Sequence, residues 1–532
     1  MTIPLCKEAF RVSASRTQRL VNRKRRIQRR LRHRSWTDQA EPMFTAANIH
    51  YELAERTRGL GPGGIGAMHL LARRTGLADA IDRRLRLLKV HLPYYQSDHV
   101  LNIAYNILAG GTCLEDIELW RNDEVYLDAL GAARIPDPTT AGDFCRRFAQ
   151  RDVEILMDTI NDVRVNVWRQ QPAEFLEEAI IEGDGMMAET TGQCKQGMDI
   201  NYKGQWGYHP LLVSLANTAE PLYLVNRRGN RPSHEGATAR FDQAIVLCKR
   251  AGFRKVLLRG DTDFTQSAAL DGWDAAGVRF IFGIDAMANL IKKAVNLPQS
   301  AWRPLERAAK YEVKTQPRER PANVKEQIVR AREFKNIRLK SEQVAEFAYR
   351  PTLCARDHRV VVIRKNLSVE KGAQVLFDDI RYFFYITNDR RTPASDIVFL
   401  ANQRCNQENL IEQLKNGARA MQMPLDNLVS NWAYMVMASL AWSLKAWFAL
   451  LLPERGRWKQ RYRQEKQSVL KMEFKRFVNA FVRVPCQLVR SGRRRVYRVL
   501  SWNPWQAVFL RGVAGLRRLT FSVPAAYCPL RC

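Results

Sequence analysis

The segment NQRCNQENLIEQLK, Asn402 to Lys415, predicts a helix with both signs of charge on one face. Arg404, Glu408 and Lys415 are separated by four and seven residues. At 100° per residue, these three positions fall within about 40° of one another around a helix. A face that combines an arginine, a carboxylate and a lysine suits a site where a metal-binding carboxylate meets a phosphate. This interpretation requires further carboxylates elsewhere in the chain.

Upstream of this segment, short apolar runs predict a sheet with acidic residues where its strands end. The runs are Glu178 to Gly183, Tyr208 to Ala216, Pro221 to Asn226, Lys255 to Leu258 and Arg279 to Ile284. With two helical segments between them, the predicted order is β-β-β-α-β-α-β. Asp184 follows the first run, and Asp261 follows the fourth. Side chains at neighbouring strand ends can meet a crossing helix, so this order supports a joint site.

Asp184, Asp261 and Glu408 are therefore candidate catalytic residues that would ligate metal. Carboxylate oxygens suit Mg²⁺ or Mn²⁺. Two such ions about 3.5–4 Å apart activate a water or a 3′-hydroxyl for in-line phosphoryl displacement. Arg404 and Lys415 would bind phosphate oxygens, the arginine through two hydrogen bonds and the lysine as a point charge.

Taken one at a time, these acidic residues have ordinary explanations. A lone aspartate at a strand end is usually a turn or cap residue, and Glu408 alone would be a surface helix residue. Glu182, Asp263 and Glu412 are equally acidic neighbours. Residue type alone therefore does not choose the ligands, and the order of the elements is what supports the set.

The overall charge favours a polyanionic partner. The 532 residues include 85 Lys and Arg against 54 Asp and Glu, which gives a net charge of +31. Such a field attracts nucleic acid, with a membrane surface as the rival partner. The arginine-rich residues 16–34 and the loop residues Arg227, Arg228 and Arg231 are candidate DNA contacts. Each of the two segments could instead be a solvated surface.

Secretion and membrane insertion are not expected. The first residues, MTIPLCKEAF, lack a basic segment followed by an apolar run. The apolar stretch Trp432 to Leu452 contains Ser439, Ser443 and Lys445, and it predicts a buried helix rather than a transmembrane one. The ten cysteines include no CxxC motif and no Cys/His pairing typical of zinc, so we expect a reduced cytoplasmic compartment and no zinc site.

Shifts in pattern divide the chain into predicted regions. Residues 1–35 form a basic arm, and residues 36–172 form a helical N-terminal domain that could bind DNA ends. Residues 173–285 and 376–452 form an α/β core, which a β-containing inserted domain at 286–375 interrupts. Residues 453–532 form a basic helical C-terminal region.

In this order, Asp184, Asp261 and Glu408 resemble the catalytic triad of DDE transposases from bacterial insertion sequences. The stretch VLLRGDTDF and the region from Glu189 to Ala237 are similar to the family's first two sequence blocks. By position, the resemblance selects Asp184 and Asp261 over their acidic neighbours. The similarity covers roughly residues 60–480.

One branch of this family has a β-rich insertion ahead of the glutamate helix and a helix signature of Tyr, Arg, Glu and Lys. Arg404, Glu408 and Lys415 match the last three signature positions in spacing, whereas Ala401 takes the place of the tyrosine. This difference puts one phosphate contact in doubt and leaves the metal ligands unaffected.

The resemblance implies a ribonuclease H-like mixed α/β core that uses two Mg²⁺ or Mn²⁺ ions for cut-and-paste DNA transposition. The implied partners are double-stranded DNA, as terminal inverted repeats and as target, and a second copy of the chain in a synaptic dimer. The expected location is the bacterial nucleoid in the cytoplasm. Some relatives form a DNA hairpin and stack a flipped base on an aromatic residue of the insertion. Trp302 is the candidate for that role, although a buried tryptophan is the simpler interpretation.

Two other functions fit the same residues. A structure-specific DNA nuclease would use the same core without strand transfer. A non-catalytic DNA-binding protein derived from a transposase would retain the charge but not the reaction, and the intact triad argues against it.

Overall fold

The computed structural model is a mixed α/β structure built around a nine-stranded sheet. It describes residues 14–31, 46, 49–51, 57–90, 93–201, 203–307, 327–328, 331–332, 335–371, 374–491 and 494–519. Its α-helices are α1 (Ala14–Leu31), α2 (Ile65–Arg74), α3 (Leu77–Arg84), α4 (Gln96–Ala109), α5 (Ile117–Arg121), α6 (Glu124–Leu130), α7 (Pro138–Arg146), α8 (Gln150–Trp168), α9 (Ala237–Ala251), α10 (Ser267–Ala275), α11 (Ala288–Val295), α12 (Ala394–Asn402), α13 (Cys405–Glu412), α14 (Leu428–Leu450), α15 (Lys459–Leu470), α16 (Phe474–Phe477) and α17 (Gln506–Arg518). Its strands are β1 (Gly59–Leu60), β2 (Glu178–Gly185), β3 (Ala188–Glu189), β4 (Asp199–Ile200), β5 (Trp206–Tyr208), β6 (Leu211–Leu215), β7 (Glu220–Val225), β8 (Lys255–Gly260), β9 (Arg279–Ile284), β10 (Arg303–Pro304), β11 (Lys335–Tyr349), β12 (His358–Lys371), β13 (Gln374–Thr387), β14 (Cys486–Ser491) and β15 (Arg494–Val499).

The nine strands of the central sheet lie in the order β10-β11-β12-β13-β9-β8-β2-β6-β7. Strand β8 runs parallel to both β2 and β9, and the other neighbours are antiparallel. Along the chain, β2-β6-β7-α9-β8-α10-β9 confirms the predicted order β-β-β-α-β-α-β, with the small sheet β3-β5-β4 formed by residues between β2 and β6. Because β2 and β8 are parallel neighbours, their carboxyl ends lie at the same edge of the sheet.

Buried apolar residues explain why these strands form where the sequence predicts them. Every residue of β6 is buried, and β9 buries all but its first residue. A Cβ added at Gly183 would lie 2.5 Å from the ring of Phe241, and one added at Gly260 would lie 2.6 Å from Phe264. The glycines therefore let aromatic side chains pack directly beneath the ends of β2 and β8.

The predicted buried helix in residues 432–452 is confirmed by α14. Asn427 caps this helix by accepting a hydrogen bond from the backbone N–H of Ser430 at 2.8 Å. Every residue from Ser430 to Leu450 is buried, and the helix packs against α4, α7, α8 and β7. By length and composition alone it could cross a membrane, but its most apolar window of 18 residues is wholly buried inside the protein.

The segment predicted as an insertion contributes two long strands, β11 and β12, to the central sheet, and β13 lies almost wholly in the segment predicted as core. β11, β12 and β13 form an antiparallel meander, and β13 pairs with β9 through Phe384 to Thr387. These three strands therefore continue the sheet that carries β8 and β2. The five domain boundaries stay predictions.

The prediction of a helical C-terminal region is wrong in one part, because β14 and β15 form a hairpin between α16 and α17. Strand β14 also pairs with β1 from the N-terminal region. Cys486 and Leu488 are buried beneath the hairpin, and the Tyr497 hydroxyl donates a hydrogen bond to the Ala129 carbonyl at 2.8 Å. Most other positions of β15 are arginine, and this charge hid the alternation of a strand from the sequence analysis.

Helix α1, the described part of the predicted basic arm, contacts the same hairpin. The Arg23 side chain donates hydrogen bonds to the carbonyls of Val499 and Ser501 at 2.8 and 3.1 Å. Residues 1–13 and 32–35 of the predicted arm lie outside the described residues.

Candidate active site

Asp184 and Asp261 lie at the carboxyl ends of two neighbouring parallel strands. In the register of β2 and β8, Glu182 is opposite Arg259, so two residues further along the two aspartates come side by side. Asp184 is within the last two residues of β2. Asp261 follows β8 directly and caps a short 3₁₀ turn by accepting a hydrogen bond from the backbone N–H of Asp263 at 3.2 Å.

The guanidinium of Arg404 bridges the two aspartates. Its Nη1 lies 3.1 Å from Oδ2 of Asp184, and its Nη2 lies 3.6 Å from Oδ2 of Asp261. Burial alone would lower the pKa of Arg404, but the negative charges of Asp184, Asp261 and Glu408 together raise it above its ordinary value. The structure thus brings Arg404 into contact with both predicted aspartates and within electrostatic range of the predicted glutamate.

Asp184 and Asp261 lie in a partly buried site where ionisation of their carboxyl groups is disfavoured. Burial raises the pKa of Asp184 to about 7, with the charge of Asp261 adding to the shift and Arg404 opposing it. Burial also raises the pKa of Asp261, again with opposition from Arg404. Paired carboxylates of raised pKa favour binding of a positive charge, and their oxygens are the ligand type that Mg²⁺ prefers.

Glu408 lies in the first turn of α13 with an exposed side chain. In the described part of the chain, the one set of three metal-ligand side chains whose atoms all lie within 4.8 Å of one another is found elsewhere. The predicted triad is therefore more open than a closed metal cage, with the guanidinium of Arg404 between its aspartates. Its residue types fit a divalent ion, and moving Arg404 aside would free oxygens of both aspartates.

The prediction of one continuous helix from Asn402 to Lys415 is wrong. Helix α12 ends at Asn402, Arg404 is the N-cap residue of α13, and Lys415 lies in a π-helical turn at Gln413–Gly417. Single π-helical turns occur frequently at functional sites. Lys415 lies beyond the end of α13, so the spacing along one helix does not show that it shares a face with Arg404 and Glu408. Its side chain is half-buried.

A buried ion pair beneath the site escaped the sequence analysis. Nη2 of Arg259 lies 2.5 Å from Oε1 of Glu182, and both side chains are almost wholly buried. Nη1 of Arg259 also donates hydrogen bonds to the Leu400 carbonyl at 2.7 Å and to Oε1 of Gln403 at 3.3 Å. One arginine therefore connects β2, β8 and the junction that precedes Arg404. The sequence did contain a signal for this pair, because Glu182 and Arg259 are charged residues within otherwise apolar strand segments.

The three loop arginines occupy different environments. Arg227 is buried, and its guanidinium donates to the carbonyls of His209, Pro232 and Glu235 at 2.7–3.0 Å. Burial lowers its pKa to about 10. Arg228 and Arg231 are exposed, and Arg231 forms an ion pair with Glu235 at 3.2 Å. Arg227 has the contacts of a residue that shapes the loop, whereas Arg228 and Arg231 face solvent, and their phosphate-binding roles stay predictions.

Trp302 is buried rather than displayed. The guanidinium carbon of Arg364 lies 4.1 Å from the centre of its ring, and Tyr382 packs beside it. This environment agrees with the simpler of the two interpretations of Trp302, a tryptophan buried in the protein.

The chain matches the family described as "Transposase DDE domain group 1" over residues 61–521. Solved structures similar to it include the "Cryo-EM structure of piggyBac transposase synaptic complex with hairpin DNA", with a TM-score of 0.29 and 10% sequence identity over 78% of this chain and 87% of that one. No curated protein matches the chain. Because the family match spans most of its length, the chain belongs to the DDE transposase family, whose nucleotidyl-transfer enzymes generally use divalent metal ions.

Proposed function

We propose that this DDE transposase cleaves DNA at the ends of its own bacterial insertion sequence and joins those ends to target DNA. The observation that carries the proposal is the pairing of Asp184 and Asp261 at adjoining strand ends, with Arg404 between them and Glu408 nearby. We assign the β7-β6-β2-β8-β9 half of the sheet to a ribonuclease H-like core.

In this proposal, Asp184, Asp261 and Glu408 hold two Mg²⁺ or Mn²⁺ ions. Bound at this site, the ions would activate the attacking oxygen and stabilise the leaving oxygen of an in-line phosphoryl displacement. Arg404 holds the two aspartates together without metal, and its guanidinium is free to bind a phosphate once the carboxylates have another cation. Lys415 contributes a second positive charge for the DNA backbone.

Charge supports double-stranded DNA as the partner. The net charge of +31 provides a long-range attraction for the phosphate backbone. Arg228 and Arg231 border a groove of about 470 Å³ that also includes Arg240. A synaptic homodimer and a location at the bacterial nucleoid belong to the same proposal.

DNA carrying the inverted repeats that flank the gene tests the reaction. With Mg²⁺, the unaltered chain should cleave at the repeat ends and join them to target DNA, whereas Asp184→Ala, Asp261→Ala and Glu408→Ala should lose both steps. Glu412→Ala is the matched control, because Glu412 is acidic and lies on the same helix, one turn beyond Glu408. Its activity should be unchanged.

The outcomes separate the alternatives. Cleavage without end joining would favour a structure-specific nuclease, and binding without cleavage would favour a non-catalytic DNA-binding protein. Cleavage that survives all three alanine substitutions would show that the site is wrongly assigned.

A further inference from the structure

A second cluster of metal-ligand side chains lies where the turn between β11 and β12 meets α10. Asp271 is on α10, Cys354 is in the turn, and His358 is the first residue of β12. One ligand atom from each of the three lies within 4.8 Å of the other two. Among the residues that the structure describes, no other three His, Cys, Asp or Glu side chains come as close.

The three donors are held firmly and mostly away from solvent. Cys354 and His358 are 7% and 3% exposed, and Asp271 is partly exposed. Nε2 of His358 lies 3.0 Å from Oδ1 of Asp271, and Oδ2 of Asp271 accepts a hydrogen bond from the Ala355 N–H at 2.5 Å. The imidazole of His358 also packs edge-on against Phe280. Ligand positions in this cluster are therefore set by contacts that do not require a metal.

The donor types match zinc better than magnesium. A thiolate, an imidazole and a carboxylate are all zinc ligands, and three protein ligands leave a fourth position for water. Cys354 and His358 are separated by three residues, ARD, which is within the usual spacing of zinc ligand pairs. Zn²⁺ would be neutralised by one thiolate and one carboxylate, so no net charge would be buried.

Proton release accompanies such binding. Burial raises the pKa of the Cys354 thiol to about 11, and the thiol donates a hydrogen bond to the Ser267 carbonyl at 3.2 Å. A metal ion that binds the sulfur must displace this proton to solvent. Affinity should consequently rise with pH.

We propose that Asp271, Cys354 and His358 bind one Zn²⁺ per chain and tie the β11–β12 turn to α10. This replaces the earlier expectation that the chain has no zinc site. That expectation was based on the absence of a CxxC motif and of a Cys/His pair at zinc spacing, and the second ground is wrong, because Cys354 and His358 form such a pair. The third ligand comes from a helix that lies far upstream in the sequence. The zinc holds the long-stranded extension of the sheet against the helix that follows Asp261.

Cobalt spectroscopy on the full chain tests this site independently of DNA cleavage. After removal of metal with a chelator, Co²⁺ is titrated and the near-ultraviolet charge-transfer band of a thiolate–cobalt bond is recorded. A site made only of carboxylates gives no such band. We expect saturation at one Co²⁺ per chain and loss of the band when Zn²⁺ is added. Cys354→Ser should abolish the band, and Asp271→Asn should weaken Co²⁺ binding by about tenfold or more.

Controls separate a built site from adventitious binding. Cys194→Ser removes an exposed cysteine elsewhere and should leave the titration unchanged. His358→Cys keeps three ligands and should roughly double the charge-transfer intensity, because a second thiolate binds the ion. This variant keeps the test decisive if Cys354→Ser misfolds.

The proposal would be overturned if the wild-type chain gave no charge-transfer band, or if the band persisted in folded Cys354→Ser. The three side chains would then only link the β11–β12 turn to α10 by hydrogen bonds. An unchanged intensity in His358→Cys would also overturn the proposal. Zn²⁺ should also raise the melting temperature of the wild-type chain and not that of Cys354→Ser, and equal shifts would count against the site.

Discussion

Glu220 and Asp184 are carboxylates of the same sheet with opposite surroundings, and Glu220 is buried whereas Asp184 is half-buried. Glu220, on β7, accepts hydrogen bonds from Arg164, Trp168 and Trp447 at 2.8–3.0 Å and from Thr218 at 2.7 Å. Its charge is fully paired inside the protein. Asp184 instead lies beside a second carboxylate, and Arg404 is shared between the two.

The difference distinguishes a structural charge from a candidate catalytic one. A carboxylate with four internal donors is satisfied by the fold and has no oxygen left for a ligand. The pair of aspartates is under-compensated, which is why burial and mutual repulsion raise the pKa of Asp184 to about 7. Such perturbed groups cluster at functional sites.

The largest stability effect is expected at Glu220. Glu220→Gln leaves the buried guanidinium of Arg164 without its partner, so the free energy of unfolding should fall by about 3–5 kcal/mol. Asp184→Asn should change it by less than about 1 kcal/mol, because that substitution also removes a repulsion. Chemical denaturation measures both values. Equal losses in the two variants would remove the distinction between the two carboxylates.

Removal of the buried arginine beneath the site should impair DNA cleavage. Arg259→Met breaks the contacts to Glu182 and to the Leu400 carbonyl, so cleavage should fall by about 10–100-fold and require more Mg²⁺. The double variant Arg259→Met/Glu182→Leu should recover stability, because a buried ion pair can be replaced by apolar side chains. Recovery of cleavage along with stability would show that the arginine does not position α13.

Metal binding should depend on pH through Asp184. Its pKa in the folded chain is raised to about 7, so below that pH a divalent ion must displace a proton. Affinity for Mn²⁺, measured by calorimetry, should increase about tenfold per pH unit up to pH 7 and then level off. Without metal, the stability contributed by protonated Asp184 is present at acid pH and is lost as the pH rises through 7. Asp184→Asn should remove both dependences, and a wild-type affinity that is flat below pH 7 would contradict this assignment.

The smallest effects are expected in the loop. Arg228→Ala should weaken DNA binding a few-fold at most, since one phosphate contact is lost. The slope of log affinity against log salt concentration should become smaller by about one. Arg227→Ala should instead lower the melting temperature, because Arg227 holds three loop carbonyls. Binding isotherms at several salt concentrations, with thermal denaturation, distinguish the two. If Arg228→Ala lowered the melting temperature and Arg227→Ala affected only DNA binding, the roles assigned to the two arginines would have to be exchanged.

The central strands could be predicted because each is a short, continuous run of apolar residues between turn residues. Arg279 to Ile284 is an apolar run between turns, and the strand has the same bounds in the structure. In β11 and β12, charged residues interrupt the apolar pieces, so the length of these strands and their pairing with each other could not be inferred from alternation. The arginines of β15 concealed a strand for the same reason.

The candidate site was only partly predictable, because distant contacts shape it. Asp184 and Asp261 follow from strand order, since parallel neighbours end together. Next to the break in the helix before Glu408, the Leu400 carbonyl accepts a hydrogen bond from Arg259, which lies far upstream in the sequence. Likewise, the buried position of Arg227 depends on the carbonyls of a loop that sequence alone does not fold.

Helix α14 has a consequence for synthesis of the protein on the ribosome. Four of its partners, α4, α7, α8 and β7, precede it in the chain, so their apolar surfaces emerge before the helix that covers them, whereas α15 and α16 follow it. Nascent chains that stop before Leu428 would expose those surfaces and should aggregate. Premature termination would thus yield insoluble fragments rather than a shortened DNA-binding competitor, and full activity should appear only after translation has passed this helix.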